Sequence, residues 1–458
     1  MAREPMPDVI VLLPGILGSV LQRNGKDVWA PSGSAFFRAL ISLGDSLQDL
    51  ALRTDGDPQD GVTATRLMPD VHLIPGFWKI DGYSKIRDTI RQTFDVTEGK
   101  NYVEFAYDWR LDNAISAQRL KEAADGWLHR RRQDGHPNAK LILVGHSMGG
   151  IVARYFLEVL GGWQDTRLLV TFGTPYRGSL NALDVLANGT QKLHGLLDFT
   201  ALARSLPSVY QLLPVYECYD HGDGQLVRIG ETSGIPNVDA ARAKKALNFH
   251  NTIREHVDRR LRDHGPRSGY GIVPVVGIEQ PTRQAAVRSG GGVDLLNTHR
   301  GVDRRGDGTV PRVSATPHEL SDDPREMYAA TKHASLQNAD PVLTQLAGSI
   351  MRLGFDLGDF LAPEDPRVKL SLAIEDAFDP GEPVVVRVRP NNPAGVLTAR
   401  IIRADRSRAT AKATLTPAGD GWLQAEFAPL PDGVYRVVVS GGARVEPASD
   451  IFAVLPAA

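Results

Sequence analysis

The chain has 458 residues, 42% of them apolar, with 52 basic against 54 acidic side chains and a formal charge of −2. That length exceeds a single hydrophobic core, so two domains are expected, and the ordinary apolar content excludes a disordered or fibrous chain. Near-neutral charge removes the bulk positive field that nucleic acid or anionic lipid would need, and one cysteine, Cys218, excludes an internal disulfide and a multi-thiolate zinc site. The first apolar run, Val9 to Leu13, stops at Pro14. It is too short to span a bilayer and lacks the form of a signal peptide. A cytoplasmic protein is therefore expected, with disulfide-independent export the alternative.

From Val9 to about Leu346, short apolar runs alternate with helical patterns, the order of a parallel sheet with helices on its faces. Strands are predicted at Val9 to Leu13, Val103 to Tyr107, Leu141 to Val144, Leu168 to Phe172 and Ile272 to Val276, with Met327 to Ala330 a candidate last strand. An insertion at Ala35 to Leu50 places Phe36, Phe37, Leu40, Ile41, Leu43 and Leu47 at helical spacing. This segment is expected either to cover the active site or to touch a membrane surface. Ile115, Leu120, Ala124 and Leu128 predict a helix that stops near Gly135, and Ile151 to Leu160 predict another, ended by Gly161 and Gly162. A second insertion, about 181–269, reads as a cap. In it Phe249, Ile253, Val257 and Leu261 form an apolar stripe, and Arg254, Arg259, Arg260 and Arg262 read as a solvated face. After 362–367 (APEDPR), β-branched segments broken by DPGEP, NNPAG, PAGDG and PDG turns predict a small immunoglobulin- or fibronectin-like sandwich.

Gly145-His146-Ser147-Met148-Gly149 is a GxSxG pattern between a strand and a helix. Chance alone would produce the bare pattern roughly 0.3 times in such a chain, so its placement carries the weight. A serine there is exposed on a strained turn, and the Met148 amide at the helix start can donate to an oxyanion. The serine needs a base, and the base an acid, in the order Ser, Asp or Glu, His. Asp307 sits between Gly306 and Gly308, where a sharp turn can aim its carboxylate inward. Of the late histidines His250, His256, His264, His299, His318 and His333, the last follows the candidate last strand. His318 is the competitor, although it leaves little chain for an intervening strand. Asp307 could equally cap a turn. A calcium loop at Asp303 to Gly308 is disfavoured because Arg305 stands where an oxygen ligand is needed.

The segments LLPGILGS (Leu12 to Ser19), FAYDWR (Phe105 to Arg110), GHSMGG (Gly145 to Gly150), TFGTPYRGS (Thr171 to Ser179), GDGTVP (Gly306 to Pro311) and HASLQN (His333 to Asn338) resemble, in this order, the lecithin:cholesterol acyltransferase family, which includes the lysosomal phospholipase A2. The resemblance covers roughly Val9 to Leu346. It implies an α/β-hydrolase fold with Ser147 as nucleophile, Asp307 as acid and His333 as base, and an oxyanion hole from the amides of Ile16 and Met148. Asp108 and Arg110 are expected to hold loops beneath the site. Trp109 and Tyr176 are candidate substrate contacts, with core packing the alternative for Trp109. Extracellular relatives use disulfides near the lid, for which Cys218 has no partner here.

The division expected is a hydrolase at 1–361, with a lid at about 20–75 and the cap at about 181–269, and a β-sandwich at 366–458. The expected activity is that of a serine-dependent lipid acyl-ester hydrolase or acyltransferase of phospholipase A type. A carboxylesterase or neutral lipase is the alternative, and a catalytically dead binding protein a further one. No metal or organic cofactor is expected, since a triad supplies every proton transfer. The expected partners are a lipid or ester substrate, a membrane surface through the apolar insertion, and a protein partner through the sandwich. Nucleic acid is not among them.

Overall fold

The computed structural model describes residues 3–30, 50–53, 60–69, 72–74, 78–190, 198–265, 269–320, 326–352, 368–406 and 408–456. The apolar insertion up to residue 49 and the interdomain boundary near 362–367 lie outside them.

Six parallel strands form the central sheet: β1 (Val9–Leu13), β2 (Tyr102–Glu104), β3 (Leu141–His146), β4 (Thr166–Phe172), β5 (Gly271–Gly277) and β6 (Met327–Ala329). Their order across the sheet is β6-β5-β4-β3-β1-β2. All five residues of β1 (VIVLL) and all six of β3 (LILVGH) are buried. Such unbroken burial marks a strand covered on both faces, and explains why these runs lack polar alternation. Each fully buried Val or Leu contributes about 1.5–3 kcal/mol relative to exposure.

The helices that matter to the site are α1 (Ser84–Thr93), α2 (Asn113–Gln133), α3 (Met148–Glu158), α4 (Ala240–His264) and α5 (Asp340–Met351). The Asp112 side chain caps α2 by accepting from the Ala114 N–H, and the chain turns at Gly135, whose φ of 92° suits glycine. Helix α4 buries Ala243, Ala246, Phe249, Ile253 and Val257. The predicted solvated arginine face needs one correction. The Arg260 side chain is only 9% exposed, with Nε 2.8 Å from Glu158 Oε2. The buried Glu158 carboxylate at the end of α3 draws it in, a long-range cause that spacing within α4 does not reveal.

Several small antiparallel arrangements were not anticipated, among them two that flank the site. Ser19–Arg23, Lys26–Trp29 and Val62–Leu67 form a three-stranded sheet within the lid region. Ala285–Ser289 and Gly292–Leu296 form a hairpin between β5 and the Asp307 turn.

The C-terminal region folds as two sheets. One contains β7 (Leu370–Ala373), β9 (Val384–Pro390), β12 (Thr416–Pro417) and β13 (Leu423–Phe427); the other contains β8 (Ala377–Phe378), β10 (Thr398–Arg403), β11 (Ala409–Thr414), β14 (Gly433–Ser440) and β15 (Ala448–Val454). Period-two burial in β9, with Val384, Val386 and Val388 inward, is what a one-sided sheet requires. Val434, Ile451, Ala453 and Leu455 join the apolar cluster of the central sheet rather than the sandwich's own.

Candidate active site

Strand β3 runs into α3 through Ser147, which has φ 51° and ψ −123°. A serine in that region is strained and is held there by its surroundings. Small neighbours make the turn feasible. A Cβ on Gly145 would lie 2.8 Å from the Gly150 Cα, and one on Gly149 would lie 2.4 Å from the Pro14 carbonyl oxygen. The Ser147 N–H donates to Phe172 O at 2.8 Å, and the Thr174 hydroxyl donates to Ser147 O at 2.9 Å.

Three side chains distant in sequence meet above this turn. His333 Nε2 lies 2.9 Å from Ser147 Oγ, and His333 Nδ1 lies 2.7 Å from Asp307 Oδ2. The other carboxylate oxygen of Asp307 accepts the N–H groups of Thr309 (2.9 Å) and Val310 (2.7 Å), which orients it in its turn. His333 follows β6, at the start of the short helix His333–Asn338, and its N–H donates to Asp307 O at 2.9 Å. All three are buried, at 1% for Ser147 and Asp307 and 3% for His333. Gly173, with φ 54°, closes the space beneath: a Cβ there would meet Asp307 Oδ2 at 2.7 Å and His333 Nδ1 at 2.8 Å. His318 points elsewhere, 3.9 Å from Asp258 with its side chain 48% exposed.

Ile16 and Met148 are both buried, Ile16 on the loop after β1 and Met148 at the first position of α3. Tyr107 fixes the Ile16 loop by donating to Pro14 O at 2.7 Å. Tyr83 accepts the Gly15 N–H at 2.7 Å, and its oxygen lies 2.9 Å from His146 Nδ1. Because the His333 carbonyl on the other side of the ring can only accept, the Tyr83 hydroxyl donates to Nδ1 and the proton of neutral His146 sits on Nε2. That nitrogen faces His333 O at 3.2 Å, as a donor should. Burial, reinforced by the neighbouring His333, pushes the His146 pKa down to about 3, so the ring is a neutral strut. Tyr83, His146 and Gly173 were not singled out from the sequence. His146 adjoined the nucleophile, and that was the only available signal.

Arg110 grips Asp108 with Nε at 2.9 Å from Oδ1 and Nη2 at 2.7 Å from Oδ2, and reaches Asp60 Oδ2 at 2.8 Å. This is the loop-holding pair expected from YDWR. Trp109 is fully buried, donates to Ser19 O at 3.2 Å and meets Trp29 edge-on at 5.4 Å. Tyr176 contacts Thr171 Oγ1 at 2.8 Å, with Arg154 at 6.0 Å from its ring. Cys218 is buried, and burial pushes its thiol pKa up. Among the described residues no group of His, Cys, Asp and Glu is arranged to hold a metal, and no helix is long and apolar enough to cross a membrane.

A parallel sheet with this strand order, a serine on the strand-to-helix elbow after β3, and a carboxylate and an imidazole on loops following β5 and β6 are the features of an α/β-hydrolase fold. Residues 78–249 match the family model of lecithin:cholesterol acyltransferase, so the resemblance read from the motifs holds over that stretch. It includes Trp109, Ser147, Met148 and Tyr176; Ile16, Asp307 and His333 lie outside it. Over 152 residues the chain is 26% identical to the uncharacterized protein YJR098C of Saccharomyces cerevisiae, which covers 32% of this chain and 20% of the yeast protein. The chain thus spans about a fifth of that relative's length. Among solved structures, the mature lipase BlEst2 of Bacillus licheniformis is 15% identical over 76% of this chain and 95% of that one, with a TM-score of 0.34. Trypsin-activated alpha-2-macroglobulin from Escherichia coli is 16% identical over 22% of this chain and 8% of its own, with a TM-score of 0.17.

Proposed function

We propose that the protein is a serine-dependent lipid acyl-ester hydrolase or acyltransferase. The observation that carries this reading is the 2.9 Å approach of His333 Nε2 to Ser147 Oγ, with Asp307 on the opposite ring nitrogen. His333 Nδ1–H donates to Asp307, which leaves the Nε2 lone pair to accept the serine proton. Ser147 Oγ then attacks the ester carbonyl, and the amides of Ile16 and Met148 donate to the oxyanion that forms. Imidazolium returns its proton to the departing alcohol, leaving an acyl-serine. Water resolves that intermediate in a hydrolase, and an acceptor alcohol does so in an acyltransferase. The family match over residues 78–249 supports a lipid acyl ester as the substrate class.

A fluorophosphonate probe should label the parent chain and not Ser147→Ala, which should lose at least about 1000-fold in turnover. Parental activity in Ser147→Ala would end the assignment. Phosphatidylcholine compared with short nitrophenyl esters, each with and without added alcohol, separates the outcomes. Turnover of soluble esters alone would replace the lipid substrate with that of a carboxylesterase.

A further inference from the structure

The C-terminal sandwich meets the catalytic domain beside the acid and the base. Gln280, 2% exposed, lies just after β5, and its backbone N–H donates to Gly306 O at 3.0 Å, one residue before Asp307. Its side-chain amide faces the sandwich. Nε2 donates to Leu370 O at 3.1 Å and Oε1 accepts the Leu372 N–H at 3.0 Å, so one primary amide satisfies the outer edge of β7 as a neighbouring strand would. His333 is tied on both sides. Lys332, immediately before it, places Nζ 2.7 Å from Oδ2 of Asp450 in β15, whose side chain has no exposure. Ala334, immediately after it, accepts the Asp81 N–H at 2.9 Å, and the Asp81 carboxylate pairs with Arg436 of β14.

From these contacts we infer that the sandwich is a positioning element of the catalytic site, setting the separation of His333 and Asp307 from Ser147. The inference rests on the triad reading above. Ser147 is held from the opposite side, by the β3–α3 turn, Phe172 and Thr174. The nucleophile and its base therefore belong to separately supported loops, and their 2.9 Å approach depends on both supports. A misplacement of about 1 Å at such a contact costs on the order of 100-fold in rate. Lys332 and Gln280 are positioning residues here, acting through His333 and Asp307.

The test uses the full chain with a short nitrophenyl ester. Lys332→Met and Gln280→Ala should lower kcat about 10- to 100-fold with KM within about twofold. Both should also shift or broaden the downfield proton resonance of His333 Nδ1–H. Lys332→Arg, which keeps the charge facing Asp450, should restore most of kcat, and Lys412→Ala, on exposed β11 at the far edge of the second sheet, should match the parent. Should either buried substitution fail to fold, Arg436→Gln, at a side chain 36% exposed, is read in the same way. Unchanged kcat together with an unmoved resonance in the folded variants overturns the inference. Parental activity in Ser147→Ala removes the triad reading and this inference with it, an outcome distinct from a failure of the sandwich variants alone.

Discussion

At the residue scale, two buried histidines lie in contact and do different work. The rings of His146 and His333 are 5.2 Å apart, but only His333 faces a carboxylate. His146 has a tyrosine hydroxyl on one nitrogen and a carbonyl on the other, and burial holds it neutral down to about pH 3 against 6.5 for an ordinary histidine. His146 should therefore add no ionisation to a pH–rate profile between about pH 3 and 6.5; an ionisation in that window that disappears in His146→Asn would contradict this. Stability carries the sign of the His146 shift. Below about pH 6.5 the unfolded chain takes up a proton that the folded chain refuses until about pH 3, so His146 makes the fold less stable as pH falls through that window. The contribution is at most about 1.4 kcal/mol per pH unit. Denaturant titrations across pH 3 to 6.5 should show a shallower acid loss for His146→Asn than for the parent chain.

At the scale of elements, α3 and α4 are joined by ions rather than by apolar contact alone. The Glu158 side chain has no exposure and receives Arg154 Nη1 at 3.1 Å, Arg260 Nε at 2.8 Å and the Tyr270 hydroxyl at 2.7 Å. Burial raises its pKa, but the two arginines and the tyrosine outweigh burial and leave the carboxyl below its usual range. Removing the shared carboxylate of a buried network leaves its cations with less compensation for their burial. Glu158→Leu should lower the unfolding free energy by about 3–5 kcal/mol, measured by urea denaturation, because Arg260 then has no carboxylate at that position. A loss below about 1 kcal/mol would show that water reaches the arginines. The same pairing shows why the helix was legible and its arginine was not: apolar spacing within α4 is local, while the partner of Arg260 lies 102 positions earlier.

At the scale of the whole molecule, the C-terminal sheets share a core with the central sheet. Val434, Ile451, Ala453 and Leu455 of the sandwich pack in the cluster that contains β1, and the Lys332–Asp450 pair lies at the same boundary. Separating the domains would expose both. Calorimetry of the full chain should therefore show one cooperative transition, and two resolved endotherms would show that the domains unfold independently.

The inner strands β1 and β3 were readable because each is short, apolar and covered on both faces, so Val9 to Leu13 is the same segment in sequence and in structure. The elbow was readable because its GxSxG pattern is contiguous, although only the Gly145 clash, with Gly150, is local; that of Gly149 is with Pro14 on the loop after β1. Asp307 and His333 could be put in order, with open alternatives, from turn chemistry and from a last strand. The hairpin at Ala285–Ser289 and Gly292–Leu296 and the strand at Ala448–Val454 escaped because neither carries a clean alternation, even though each pairs with a neighbour close in sequence. What only the tertiary structure decided is which late histidine meets Ser147, which tautomer His146 adopts, where Arg260 finds its charge, and that the C-terminal sheets contact Gln280 and Lys332. Local sequence determines periodicity, turns and caps, because those forces act within a few residues. Contacts across 186 positions, such as that between Ser147 and His333, exist only once the sheet has brought the ends of its strands together.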